Sequence, residues 1–170
     1  MFENRTKAGE LLSQKLLKFK GIKDAFVLAI PRGGVVVGKV VSDTLGIPLG
    51  IVYAKKIPTP GQPELAAGAH ITKGKKFGKT PDVKDKNAIL VDDGIATGAT
   101  IRAAIKYLGA KKVKKIILAA PVAPKDTVEE LKPLVDKIVV LYTPDDFSSV
   151  GQFYRYFPQI TDEEVVSLLK

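Results

Sequence analysis

The chain has 170 residues, 45% of them hydrophobic and 26% charged, with 27 Lys+Arg against 18 Asp+Glu and a net charge of +9. That length and apolar content predict one folded domain with a sizeable core and exclude a disordered chain. With no cysteine and a single histidine, His70, the chain has no disulfide, no thiolate chemistry and no two-histidine metal site.

Taken in chain order, the opening residues are amphipathic and charged, unlike a signal peptide, and no run of 18 apolar residues follows that would span a bilayer. The expectation is a cytoplasmic protein with no membrane partner. Asn4 or Thr6 can cap a first helix on which Ala8, Leu12, Leu16 and Phe19 recur at helical spacing, with Gly21 as its stop. Residues 25–30 are almost wholly apolar, as in a strand buried on both faces. Pro31, Arg32, Gly33 and Gly34 interrupt this run, 35–45 suit a helix stopped by Gly46 and Pro48, and 49–54 suit a second strand.

Periodicity fails from 55 to 86, a stretch with Pro58, Pro60, Pro63, Pro81 and eight lysines. It is expected to be a flexible basic lid loop, within which 66–71 could pair as a strand. Regular patterning resumes with a strand at 88–91 that ends in Asp92-Asp93. A Gly/Thr-rich turn leads into a helix over 100–108, closed by Gly109, and a strand at 113–120. Asp126 and Glu129 stand at capping-box spacing for the next helix, 137–142 suit a fifth strand, and Thr161 and Glu164 repeat that spacing before a terminal helix. The alternation predicts a single α/β domain over 1–170: three layers, with a mostly parallel central sheet and helices on both faces.

In such sheets ligands bind at the carboxyl ends of the strands. Two adjacent carboxylates at the end of a buried strand are costly unless a diol, cation or donor satisfies them. Beyond them, backbone N–H groups at a helix start, with the hydroxyls of Thr97 and Thr100, suit a phosphate. Hydroxyl acceptors and a phosphate cradle in one short segment suit a sugar phosphate. The competing reading is an acidic strand end followed by an ordinary helix cap. Pro31-Arg32-Gly33-Gly34 offers close backbone approach and a guanidinium suited to bidentate phosphate contact, though alone it is also an ordinary turn. Lys55 and Lys56, which could equally be a solvated strand end, stand before the proposed lid.

Residues 89–100, Ile-Leu-Val-Asp-Asp-Gly-Ile-Ala-Thr-Gly-Ala-Thr, resemble the fingerprint of the type I phosphoribosyltransferases. Ala54-Lys55-Lys56-Ile57, residues 60–66 (Pro-Gly-Gln-Pro-Glu-Leu-Ala) and Gly151-Gln152-Phe153-Tyr154 are similar to a bacterial and archaeal group of that superfamily with no agreed acceptor base. The resemblance implies that Asp92 and Asp93 hold the ribose hydroxyls of phosphoribosyl pyrophosphate, while Ala96, Thr97, Gly98, Ala99 and Thr100 wrap its 5′-phosphate. Pro31, Arg32, Gly33 and Gly34, with Lys55 and Lys56, would then bind pyrophosphate. Asp92, Asp93, Arg32, Lys55 and Lys56 are the implied catalytic set, and Glu64 would engage substrate on lid closure.

The same resemblance implies Mg²⁺ as cofactor with no direct protein ligand, met by Asp92 and Asp93 through water. It also implies a hood over 144–170, where Phe147, Phe153 and Tyr154 could stack on a base or instead form a small satellite core. Ala96 stands where the 6-oxopurine enzymes carry an acid, which disfavours a hypoxanthine or guanine acceptor. His70 is expected to be structural or solvent-facing, and a homodimer is compatible with the family.

The implied reaction transfers a 5-phosphoribosyl group to an unidentified nitrogen base. Two alternatives stand beside it: a related phosphoribosyl hydrolase, or a ligand-sensing regulator that binds RNA or DNA. The second is suggested by Lys106, Lys111, Lys112, Lys114 and Lys115, in a stretch (106–125) with six basic and no acidic residues. No nucleic-acid module accompanies that block and Arg is scarce, so nucleic acid is not the expected partner.

Overall fold

The computed structural model describes residues 1–59, 62–71 and 77–170, with the backbone alone described over 54–59 and 62–71. Five strands form one sheet: β1 (Ala25–Ala29), β2 (Leu49–Ile51), β5 (Asn87–Val91), β6 (Lys115–Val122) and β7 (Lys137–Tyr142). Their spatial order is β2-β1-β5-β6-β7, and every pairing is parallel. Between β2 and β5 the chain makes a two-stranded antiparallel ribbon, β3 (Ala54–Thr59) and β4 (Gln62–Ile71). The helices are α1 (Arg5–Leu16), α2 (Gly33–Leu45), α3 (Ala99–Ala110), α4 (Lys125–Leu131) and α5 (Asp162–Leu168).

Strand alternation divides the core cleanly. Ala25, Val27, Ile89, Val91, Ile117 and Ala119 point to one face, where Leu12 and Leu16 of α1 and Val37, Val41 and Leu45 of α2 cover them. Leu28, Ala88, Leu90, Ile116 and Leu118 point to the other, under Ile101, Ala104 and Leu108 of α3 and Val128 and Leu131 of α4. Burial on both faces explains why the strands are continuous apolar runs rather than alternating ones. Each fully enclosed Leu or Ile contributes about 1.5–3 kcal/mol by leaving water.

Several local expectations hold. Asn4, rather than Thr6, caps α1 by accepting from the Lys7 amide at 2.9 Å. Thr161 and Glu164 form the reciprocal capping box of α5. Others need correction. Asp126 lies inside the first turn of α4 because Pro124, with extended backbone, occupies the N-cap, so the Asp126/Glu129 capping box does not form. Helix α2 starts at Gly33, two residues earlier than expected. The ribbon replaces irregular backbone in much of 55–86; 66–71 lie within β4, and Pro58 sits at a register irregularity of β3.

The chain leaves β1 toward β2 on one side and later returns to place β5 on the other. The β1/β5 boundary is therefore the point where strand order reverses, the place where sheets of this kind bind ligands at their carboxyl ends.

Candidate functional site at the ends of β1 and β5

Asp92 and Asp93 follow the last residue of β5, the middle strand, and the turn after β1 lies against them. The Pro31–Arg32 peptide is cis, and α2 begins immediately with Gly33 and Gly34. A Cβ at Gly33 would overlap Asp93 Oδ2 and lie 2.7 Å from Arg5 Nε. One at Gly34 would lie 2.9 Å from Asp92 Oδ1 and 3.0 Å from Asp92 Cα. The glycine pair therefore makes room for the protein's own carboxylates.

Asp92 Oδ1 accepts the Asp93 amide at 2.8 Å. Burial, then the neighbouring Asp93 charge, holds the Asp92 carboxyl well above the ordinary carboxylate range. Asp93 is paired with Arg5, whose Nε lies 2.7 Å from Asp93 Oδ2. Arg5 Nη1 also donates to the Pro158 carbonyl at 2.7 Å, and its guanidinium carbon stands 3.7 Å from the centre of the Phe157 ring. The Tyr154 hydroxyl donates to the Asp93 carbonyl at 2.6 Å; burial first, then Asp93, pushes this phenol's pKa up, so it stays a donor.

Beyond the acids, residues 94–98 form an open turn into α3. Gly98 takes the N-cap position with φ +79°, a left-handed conformation that favours glycine, and it brings no capping side chain. The first turn of α3 thus has no N-cap side chain, though the Ala99 amide donates to Thr97 Oγ1 at 3.4 Å. The turn is braced from outside: Thr127 Oγ1 donates to the Ala96 carbonyl at 2.9 Å and Arg102 Nη1 to the Thr97 carbonyl at 2.7 Å, while Arg102 is itself paired with Glu130. A cavity of about 180 Å³ is lined by Asp92, residues 94–101 and Val150. It joins one carboxylate to a helix N-terminus, the donor set expected for a polyhydroxyl anion.

The predicted residues are thus only partly gathered. Asp92, Ala96, Thr97, Gly98, Ala99 and Thr100 line the cavity, Asp93 is paired with Arg5, and Gly33 and Gly34 abut both acids. Arg32 is 54% exposed and turned toward the C-terminal segment, with Nη1 donating to the Ile160 carbonyl at 3.2 Å and Nε 3.9 Å from Asp162. Lys55 and Lys56 lie on β3, opposite His70 and Ala69 of β4, and Glu64 is also on β4. The side chains of these residues fall outside the described set.

Of the two readings of Phe153 and Tyr154, base stacking or a satellite core, the packing of their rings matches the second. Both are buried, at 8% and 6% exposure, and their rings stack on Phe147 and Phe157 respectively. They form the satellite core of the hood, which Phe2 joins by donating its amide to the Phe153 carbonyl at 2.7 Å. Lys111, Lys112 and Lys114 lie in the turn before β6, at the amino end of the sheet and so away from the cavity. Sequence reasoning missed Arg5, Arg102, Thr127 and Val150. The first is an ordinary helix-start arginine until the fold brings it to Asp93, and the others carry no local signal.

Known proteins agree with this geometry. The profile of the phosphoribosyl transferase domain matches residues 3–157. A Mycobacterium tuberculosis protein provisionally named a phosphoribosyl transferase is 35% identical over 206 aligned positions, covering 99% of this chain; the chain spans only 46% of that relative. The crystal structure of a protein from Thermus thermophilus superposes with a TM-score of 0.85 at 32% identity, covering 99% of this chain and 97% of that one. A purine phosphoribosyltransferase from Pyrococcus horikoshii shares the fold, with a TM-score of 0.60, 24% identity and coverage of 92% and 93%. The five-stranded parallel sheet, the acidic strand end of β5 and the match over nearly the whole length make this chain a member of the phosphoribosyl transferase domain family.

Proposed function

We propose that the chain transfers a 5-phosphoribosyl group from phosphoribosyl pyrophosphate to a nitrogen base with release of pyrophosphate. The observation that carries this reading is the cavity after β5, where Asp92 and the start of α3 line one space of about 180 Å³. A ribose 5-phosphate asks for that combination: a carboxylate to accept from vicinal hydroxyls, and backbone N–H groups with hydroxyls for the phosphate.

In this reading, residues 96–100 hold the 5′-phosphate and Asp92 fixes the ribose. The bond from the anomeric carbon to pyrophosphate breaks as the bond to the base nitrogen forms, through a state with oxocarbenium character. The protein's contribution is positioning and charge neutralisation. Arg32, the amides of Gly33 and Gly34, and Lys55 or Lys56 stabilise the departing pyrophosphate. Among the described residues no three His, Cys, Asp or Glu side chains gather into a metal cage. Asp92 and Asp93 would meet through water a Mg²⁺ carried in by substrate phosphates, an ion that keeps several waters. When bound, the ion supplies further neutralisation of the leaving group.

The test is incubation with Mg²⁺, phosphoribosyl pyrophosphate and a panel of purine and pyrimidine bases, with pyrophosphate measured. Release that depends on one base is the expected result and names the acceptor. Failure to bind the donor in a calorimetric titration overturns the reading.

A further inference from the structure

We infer that Arg5 is a positioning residue of the donor site: it fixes the Asp93 carboxylate beside Asp92 and braces it against the C-terminal segment. The inference rests on the donor reading above. Arg5 lies 88 residues before Asp93 in sequence, yet it is only 7% exposed and its Nε is 2.7 Å from Asp93 Oδ2. Its second bond, to the Pro158 carbonyl, and its stacking on Phe157 fix the guanidinium plane.

Three further contacts converge on Asp93. The backbone at Gly33 leaves no room for a Cβ beside Oδ2, the Tyr154 hydroxyl holds the carbonyl, and the Asp93 amide is committed to Asp92 Oδ1. Buried ion pairs of this kind add little net stability, because desolvation offsets the attraction. What this one supplies is geometry: the Asp93 carboxylate is held in one orientation beside Asp92.

The test is calorimetric titration with Mg²⁺-phosphoribosyl pyrophosphate of the wild type, Arg5→Met, Arg5→Lys, Asp93→Asn and the Arg5→Met/Asp93→Asn double variant, with thermal unfolding of each. Arg5→Met should bind donor about tenfold more weakly, Arg5→Lys should recover most of that loss, and the double variant should show the same loss as the weaker single one. Should Arg5→Met fail to fold, the double variant, which leaves no unpaired buried charge, carries the comparison with Arg5→Lys. Wild-type affinity in Arg5→Met or the double variant, whatever the melting temperature, reduces Arg5 to a structural role and overturns the inference. Independent, multiplying losses at Arg5 and Asp93 overturn it as well. A wild type that binds no donor fails at the earlier step and removes the donor reading itself.

Discussion

The turn after β1 and the turn after β5 both carry a strand into a helix, at the same end of the sheet and on neighbouring strands, yet they use glycine for different ends. After β1 the helix starts at once, and Gly33 and Gly34 lack side chains because the carboxylates of the next strand occupy that space. After β5 the chain runs through residues 94–98 before α3 begins, and Gly98 supplies a left-handed cap that leaves the helix start open. One turn has its glycine Cα positions packed against carboxylates, and the other borders the cavity. The same residue type makes room for carboxylates in one place and supplies a left-handed cap beside a cavity in the other.

The sharpest way to break this contrast is Gly33→Ala. Its Cβ would push into the Arg5–Asp93 pair, and splitting a buried pair costs about 3–5 kcal/mol. Chemical denaturation should show a loss of that order; an unchanged midpoint would mean the turn has slack that the packing denies.

Asp92→Asn probes the open side. Donor affinity should fall about a hundredfold, the weight of a hydrogen bond to a charged acceptor, as measured by calorimetry. Stability should move the other way. Because burial raises the folded value of Asp92 above its unfolded one, the stability this carboxyl contributes is full below the ordinary range near about pH 4 and is lost as pH rises through the raised folded value. The Asn variant does not titrate, so at neutral pH it should melt above the wild type. The gap should close on acidification.

Gly98→Ala should cost about 1–2 kcal/mol, the penalty for a Cβ in the left-handed region at φ +79°, with Gly98→Asn costing less. The smallest effect belongs to Thr127→Val, which removes the hydroxyl bracing the Ala96 carbonyl: about 1 kcal/mol in thermal unfolding, with a matching weakening of donor binding. If Thr127→Val left donor affinity untouched, the open turn would hold its shape without its outer brace.

The layers of the fold were legible because strands covered on both faces must be apolar throughout, and helices between them carry one apolar stripe each. The acidic strand end was legible for a similar reason, since Asp92-Asp93 after Ile89-Leu90-Val91 places charge where burial penalises it. The α4 start was not, because Asp126 and Glu129 matched a pattern that Pro124 pre-empted by taking the N-cap. The ribbon of β3 and β4 was hidden by prolines, which mark turns and edge strands alike. Tyr154 was noticed for its ring, whereas its hydroxyl is what holds Asp93. Arg5 was out of reach, since nothing local in a helix-start arginine specifies a partner so far along the chain.

The bond from Arg5 to the Pro158 carbonyl also bears on kinetics, for it closes a loop across 153 residues, nearly the full length of the chain. Ordering so large a loop has an entropic cost that is recovered only when both ends have something to hold, and the Phe2–Phe153 pairing and the Arg5–Asp93 pair supply it together. The parallel sheet, by contrast, can assemble from nearer segments such as β5 and β6. Contacts that form after the rate-limiting step alter the rate of leaving the native state more than the rate of reaching it. Substitutions at Arg5 should therefore hasten unfolding while refolding proceeds at nearly the wild-type rate, as stopped-flow tyrosine fluorescence would record.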